Sequence, residues 1–238
     1  MKGRILKQII AIFAAVSVLV LGFIAFQSET YYLLFFIGAL LLCFPFVYRY
    51  EKRTIDVAEV VAMAFFTALT VVGRLVFATL PGTPVTAMLV FAACFFGREN
   101  GFMLGVLTAL ISNLFLSHGP WTAYQMAAWG IIGYLSGFFR SLLFPKNPLG
   151  INTCSQSWRN IAIFSVWGAF CGVMYSLILD LSTVFFVYRK FTVGYYLTVI
   201  ASSLPVTIEY IVTNVIFIII FYHPFLYVFR RLMQKRGL

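Results

Sequence analysis

The chain has little charge and very little acid: 7 Asp and Glu stand against 17 Lys and Arg in 238 residues, and charged residues make up 10%. A domain of this length stays dispersed in water only behind a charged surface. With 62% hydrophobic residues and a mean hydropathy of +0.98, no such surface can be built, so the bilayer is the solvent. The net charge of +10 does not mark a nucleic-acid binder, because no basic helix, zinc spacing or RNP-type aromatic pattern accompanies it. Histidine is confined to His118, alone in a loop, and His223, before Pro224. Neither has partners at metal-ligand spacing. Cys43, Cys94, Cys154 and Cys171 show no CxxC spacing, and three fall in apolar runs, where they read as small fillers. HExxH, GxSxG, the paired carboxylates of intramembrane proteases and the P-loop GxxxxGK[ST] are also missing. Neither catalysis nor a cofactor is therefore expected of this chain. Uphill movement of a solute would need ATP hydrolysis on another chain or an ion gradient.

What the chain does have is long apolar runs. A membrane-crossing helix needs roughly 20 apolar residues for about 30 Å of hydrocarbon. Eight segments are expected: 5–26, 31–48, 57–80, 85–97, 101–116, 122–143, 160–185 and 204–229. The fourth and fifth are short for a crossing. Residues 1–50 read as an N-terminal hairpin with almost no polar content, and 51–238 as a six-helix core carrying the interior polar groups. The basic residues between runs (Lys2, Arg4, Lys7; Arg49, Lys52, Arg53; Arg98; Arg140, Lys146, Arg159; Arg230, Arg231, Lys235, Arg236) all fall on one side if both termini are cytoplasmic. The first run is long and has no small-x-small site near Gln27, so a retained helix is expected rather than a secretory signal.

Small residues at helical spacing supply a packing code. Gly101, Gly105, Ala109 and Ser112 or Asn113 form one stripe, Gly133 and Gly137 a second, and Gly168, Gly172, Ser176 and Asp180 a third. In lipid such residues let backbones approach. Asp180 could cap its helix, pair with Arg189, or face a ligand. The last segment is expected to start at Ser202-Ser203-Leu204-Pro205, a helix-start pattern, which puts Glu209 about one turn inside, at a depth similar to Arg74. Either the two form an ion pair, Arg74 snorkels outward, or at least one meets a polar solute, because an intramembrane charge costs roughly 2.5–3.5 kcal/mol without a partner.

The candidate site lies in the middle third. Trp121, Gln125 and Trp129 recur at i, i+4 and i+8, and so share one helix face. Trp121 alone could be an interfacial anchor. Gln125 between two tryptophans, with Asn113 ending the preceding helix and a Gly-Pro loop at 117–121, describes a pocket for a small solute.

The runs Thr67-Ala68-Leu69-Thr70-Val71-Val72-Gly73-Arg74, Pro81-Gly82-Thr83-Pro84, Phe96-Gly97-Arg98-Glu99-Asn100-Gly101-Phe102, Ser112-Asn113-Leu114-Phe115 and Gly119-Pro120-Trp121-Thr122-Ala123-Tyr124-Gln125-Met126, together with Leu204-Pro205, Asn214 and Phe217, closely resemble S components of energy-coupling factor (ECF) transporters. The resemblance covers about residues 56–232. It implies a six-helix membrane protein that binds a vitamin or related micronutrient from outside and works with a transmembrane coupling protein and two cytoplasmic ATPases. On that basis Arg74, Asn113, Trp121, Gln125, Trp129, Glu209 and Asn214 are the expected substrate contacts. The family docks its coupling protein on AxxxA residues of the first core helix, a spacing met here by Ala58 and Ala62, or by Ala64 and Ala68. Two departures stand out: the N-terminal hairpin is additional to the core, and Thr207 and Tyr210 occupy places where family members often carry Asp and His. The motif variant resembles cobalamin-type members, so cobalamin or a precursor is the first expected cargo. A stand-alone secondary transporter or channel is the alternative, although no convincing internal repeat supports it.

Overall fold

A computed structural model describes residues 57–80, 82–119, 121–144 and 158–235. The hairpin expected over 1–50 lies outside them. Every regular element among the described residues is helical: α1 (Val57–Val76), α2 (Val85–Phe96), α3 (Arg98–Leu116), α4 (Trp121–Ser136), a 3-10 turn (Gly137–Phe139), the short α5 (Arg140–Leu143), α6 (Trp158–Tyr188) and α7 (Val193–Lys235). Among the described residues, five stretches are long and apolar enough to cross a bilayer: Val57–Val76, Arg98–Leu116, Trp121–Leu143, Trp158–Tyr188 and Val193–Leu232. Six substantial helices, with the all-α membrane class, match the expected core.

α2 is the axis of the bundle. Its 12 residues rise only about 18 Å, but almost every side chain is buried, from Val85 to Phe96. Phe91 meets Phe164, Tyr222 and Phe225, so aromatic rings from α6 and α7 close around it. Beside it, α3 and α4 pack backbone to backbone. A Cβ placed on Gly105 would run into the Trp129 carbonyl and come within 2.7 Å of the Gly130 nitrogen, while one on Gly101 would sit 2.5 Å from the Gly133 oxygen. Only glycine permits that approach. α6 and α7 form the other close pair. Cys94 and Cys171 are free and buried as fillers, the Cys94 thiol donating to the Ser136 carbonyl at 3.2 Å.

Two expected boundaries are corrected. The fifth segment starts at Arg98, not 101, because Gly97 adopts a φ of 93° and breaks the chain in one residue. Charged Arg98 and Glu99 then form a helical first turn, where acid suits the helix dipole. The larger correction concerns the last segment, which starts at Val193 and carries Pro205 inside it. Pro205 removes one N–H from the ladder, and the hydroxyls of Ser202 and Ser203 bond to the carbonyls of Val199 and Ile200 at 2.8 and 3.2 Å, the kind of local adjustment that keeps proline in membrane helices. The connection between α6 and α7 is therefore a tight turn between Tyr188 and Val193. Tyr188 stacks on Tyr195 with centroids 4.3 Å apart, and Thr192 Oγ1 accepts from the Tyr195 N–H at 3.2 Å.

Connectivity sorts the two ends. The α1–α2, α3–α4 and α6–α7 connections lie at one end with Arg189 and Lys190. Arg98, Arg140 and Arg159 lie at the other, with Arg230 and Arg231 near the end of α7.

Candidate functional site

Arg74 occupies the last turn of α1, at the connection end that is poorer in basic residues. Its Nη1 donates to Asn113 Oδ1 at 2.8 Å and to Ser112 Oγ, and its Nη2 donates to Gln125 Oε1 at 3.3 Å. The guanidinium carbon lies 4.7 Å from the centroid of the Trp129 ring, within cation–π range. Asn113 Nδ2 donates to the same Gln125 oxygen at 2.8 Å and to Thr122 Oγ1 at 3.0 Å. Ser112, Asn113, Thr122 and Trp129 are all 1% exposed or less. Three helices thus converge on one guanidinium. Arginine carries five N–H donors, and these three bonds leave the Nε hydrogen and one on Nη2 for an incoming acceptor.

Local sequence explains the convergence. Ser112 and Asn113 end the small-residue stripe of α3, so the contact that brings α3 against α4 also carries them toward Gln125 and Trp129. The α3–α4 turn is held by Thr122, whose N–H donates to the Gly119 carbonyl at 2.9 Å and whose Oγ1 accepts from the Gly119 N–H at 3.2 Å. His118 Nδ1 lies 3.4 Å from that same oxygen. Trp121 is 38% exposed and lies over Gly119 at the rim.

Glu209 does not pair with Arg74. Its Oε1 accepts from the Gly82 N–H at 2.6 Å, tying the α1–α2 connection to α7. Gly82 has a φ of 79°, and a Cβ there would fall 2.6 Å from Thr213 Cβ. Only glycine fits under Thr213 in that conformation. We propose that this contact serves as a latch at the Arg74 end of the bundle. Glu209→Ala is expected to speed ligand release by about tenfold, the value of one charge-assisted hydrogen bond near 1.5 kcal/mol, with the melting temperature almost unchanged. Stopped-flow dissociation measures it, and an unaltered off-rate would remove the latch role.

Asn214 stands apart from the cluster. It is 3% exposed and its Nδ2 donates to the Gly168 carbonyl at 3.1 Å, so it staples α7 to α6. Asp180 pairs with neither Arg189 nor a helix end; Ser203 Oγ donates to its Oδ2 at 2.8 Å. One turn along the seam, Ser176 and Thr207 hydroxyls meet at 2.5 Å. Tyr175 and Tyr210 join these rungs to the cluster. Tyr175 stacks on Trp129 with centroids 5.1 Å apart and an interplanar angle of 17°, and Tyr210 meets Tyr175 edge-on at 5.2 Å.

Of the seven expected substrate contacts, the structure brings Arg74, Asn113, Gln125 and Trp129 into one cluster, puts Trp121 beside Gly119 on the α3–α4 turn, ties Glu209 to the Gly82 N–H, and leaves Asn214 in the α6–α7 seam. Ser112, Thr122, Tyr175 and Tyr210 belong to the arrangement but were not among them. Ser112 and Thr122 stood inside conspicuous motifs. Nothing in the spacing of α6 or α7 marks the tyrosines. On α1, Ala58, Ala64 and Ala68 are exposed, whereas Ala62 is half-buried against the core.

Residues 54–229 match the family model of the ECF-type riboflavin transporter S component. Comparison with curated proteins gives no match, and comparison with solved structures gives none either. The matched stretch takes in most of the chain, all seven expected substrate contacts and the four α1 alanines. A polar hub buried between three membrane helices, next to stacked aromatic rings, is what a solute-capturing subunit requires, and the chain belongs to the ECF-type riboflavin transporter S component family.

Proposed function

We propose that this chain binds riboflavin or a close flavin relative from the membrane face opposite its basic loops, and delivers it inward through partners that hydrolyse ATP. The observation that carries this reading is the convergence of Arg74, Asn113 and Gln125 on one another beside the Trp129–Tyr175 stack. A flavin ring is flat, which suits aromatic faces, and its imide edge offers acceptors and a donor to a guanidinium and two amides. The ribityl arm carries hydroxyls, and Ser176, Asp180, Ser203 and Thr207 line the seam beside Tyr175 and Tyr210. The family name supports riboflavin over the cobalamin suggested by the Gly-Pro-Trp-Thr run.

Titration of the purified chain should quench flavin fluorescence saturably at one equivalent, with excess cobalamin failing to compete. Saturable cobalamin binding that riboflavin cannot displace would return the cargo to a corrinoid.

The coupling protein and two ATPases are proposed as partners, with docking through Ala64 and Ala68. Both are exposed on one stripe of α1 with Val61, Phe65 and Val72, whereas Ala62 faces inward. Ala64→Leu with Ala68→Leu should leave flavin binding intact and reduce cellular uptake to background. Normal uptake by that variant would move docking elsewhere. No catalysis is assigned to this chain, and the distribution of Lys and Arg supports a cytoplasmic position for both termini.

A further inference from the structure

A second site lies on the side of α6 away from α7. Arg159, Ala162, Ile163, Val166, Trp167 and Phe170 fall at i, i+3, i+4, i+7, i+8 and i+11, which aligns them on one stripe. The stripe is opposite the Gly168–Gly172 face that meets α7. Phe139, from the 3-10 turn, closes one flank with its ring 4.8 Å from that of Trp167, and Trp167 stacks on Phe170 at 5.5 Å. With Ala162, Ile163 and Val166 they border an open groove of about 600 Å³. Its lining is wholly apolar in effect, because the Trp167 Nε1–H already donates to Ser136 Oγ at 2.9 Å. That bond also fixes the indole wall.

Arg159 ends the stripe. It is exposed, beside Trp158 at 80% exposure, and Asn160 Nδ2 anchors this first turn of α6 to the Leu142 carbonyl at 2.9 Å. Tryptophan and arginine together mark headgroup depth. From Arg159 to Phe170 the helix rises about 17 Å, close to half of a hydrocarbon core about 30 Å thick. One end is cationic, the remainder is apolar, and the length is one leaflet. We propose that the groove holds an acyl chain of an anionic phospholipid whose phosphate is bound by Arg159. The other apolar occupant to weigh is the segment 1–56, but it joins the bundle through α1, which packs chiefly on α2 and α3 rather than on α6.

The test uses the full chain, extracted from membranes containing both phosphatidylglycerol and phosphatidylcholine, with retained lipid counted by native mass spectrometry. The wild type should keep phosphatidylglycerol in preference, and Arg159→Gln should reduce that preference by roughly fivefold, the worth of one arginine at an anionic surface. Val166→Trp, which fills the groove, should lower retention of both lipids. A photoreactive side chain at Val166 should form an adduct with phospholipid. Equal retention of the two lipids by the wild type, an unchanged preference in Arg159→Gln, or an adduct with residues 1–56 or with another protein would each overturn the proposal. Flavin binding by each variant serves as the control for folding.

Discussion

Arg74→Ala should weaken flavin binding by about hundredfold, near 2.7 kcal/mol, within the range for a hydrogen bond to a charged group in a site shielded from water. The guanidinium touches α3, α4 and the Trp129 ring at once. Its loss leaves Ser112, Asn113 and Gln125 without the cation that orients them, and takes away the free Nε and Nη2 hydrogens. Arg74→Lys keeps the charge but not the planar fork, so it should recover only part of the affinity. A purely structural Arg74 would give a different result. The melting temperature would fall while the folded fraction bound flavin with unchanged affinity. Isothermal titration beside thermal denaturation separates the two.

Gly105→Ala should be the most damaging single methyl in the described residues near the site. Its Cβ would fall inside the Trp129 carbonyl, a main-chain atom that no rotamer change can move aside. α3 and α4 must separate by about 1 Å, at a cost toward the upper end of the 1–3 kcal/mol typical of overpacking. The same separation pulls Ser112 and Asn113 away from Gln125 and shifts Trp129 off Arg74. Stability and affinity should therefore fall together, affinity by roughly tenfold or more as an overpacking cost above 1.4 kcal/mol allows. Gly194→Ala is the matched control, since nothing lies within 4 Å of a Cβ there. It should be neutral or slightly stabilising, alanine being the better helix former. Equal tolerance at both positions would mean that α3 and α4 are not in the contact described.

Much of this arrangement was legible in the sequence, and the residues explain where legibility stopped. Glycine spacing announced the α3–α4 approach because only small residues permit it in lipid. Arg74, Gln125 and Asn113 were conspicuous because polar atoms are costly in hydrocarbon and seek each other. The same logic does not distinguish the setting of Asn214, whose Nδ2 donates to the Gly168 carbonyl and which looks identical in a sequence whether it joins two helices or faces a solute. It also suggested an Arg74–Glu209 pair from depth alone. Depth does not give azimuth, and Glu209 turns to Gly82 instead. Pro205 misled for a related reason: in water it would begin a helix, whereas in a membrane helix serine hydroxyls and packed neighbours accommodate it in the interior. Tyr175 and Tyr210 were invisible because aromatic residues are common throughout, with 27 Phe and 13 Tyr in the chain, and only three-dimensional packing singles out the two against Trp129.

The most direct test of flavin capture is to purify the chain from its native membrane without added ligand and identify by mass spectrometry the small molecule that stays with it. Riboflavin or a close flavin at about one per chain, lost in Arg74→Ala, is the expected result. A corrinoid in its place, or a chain that carries no flavin and binds none when it is supplied, would contradict it.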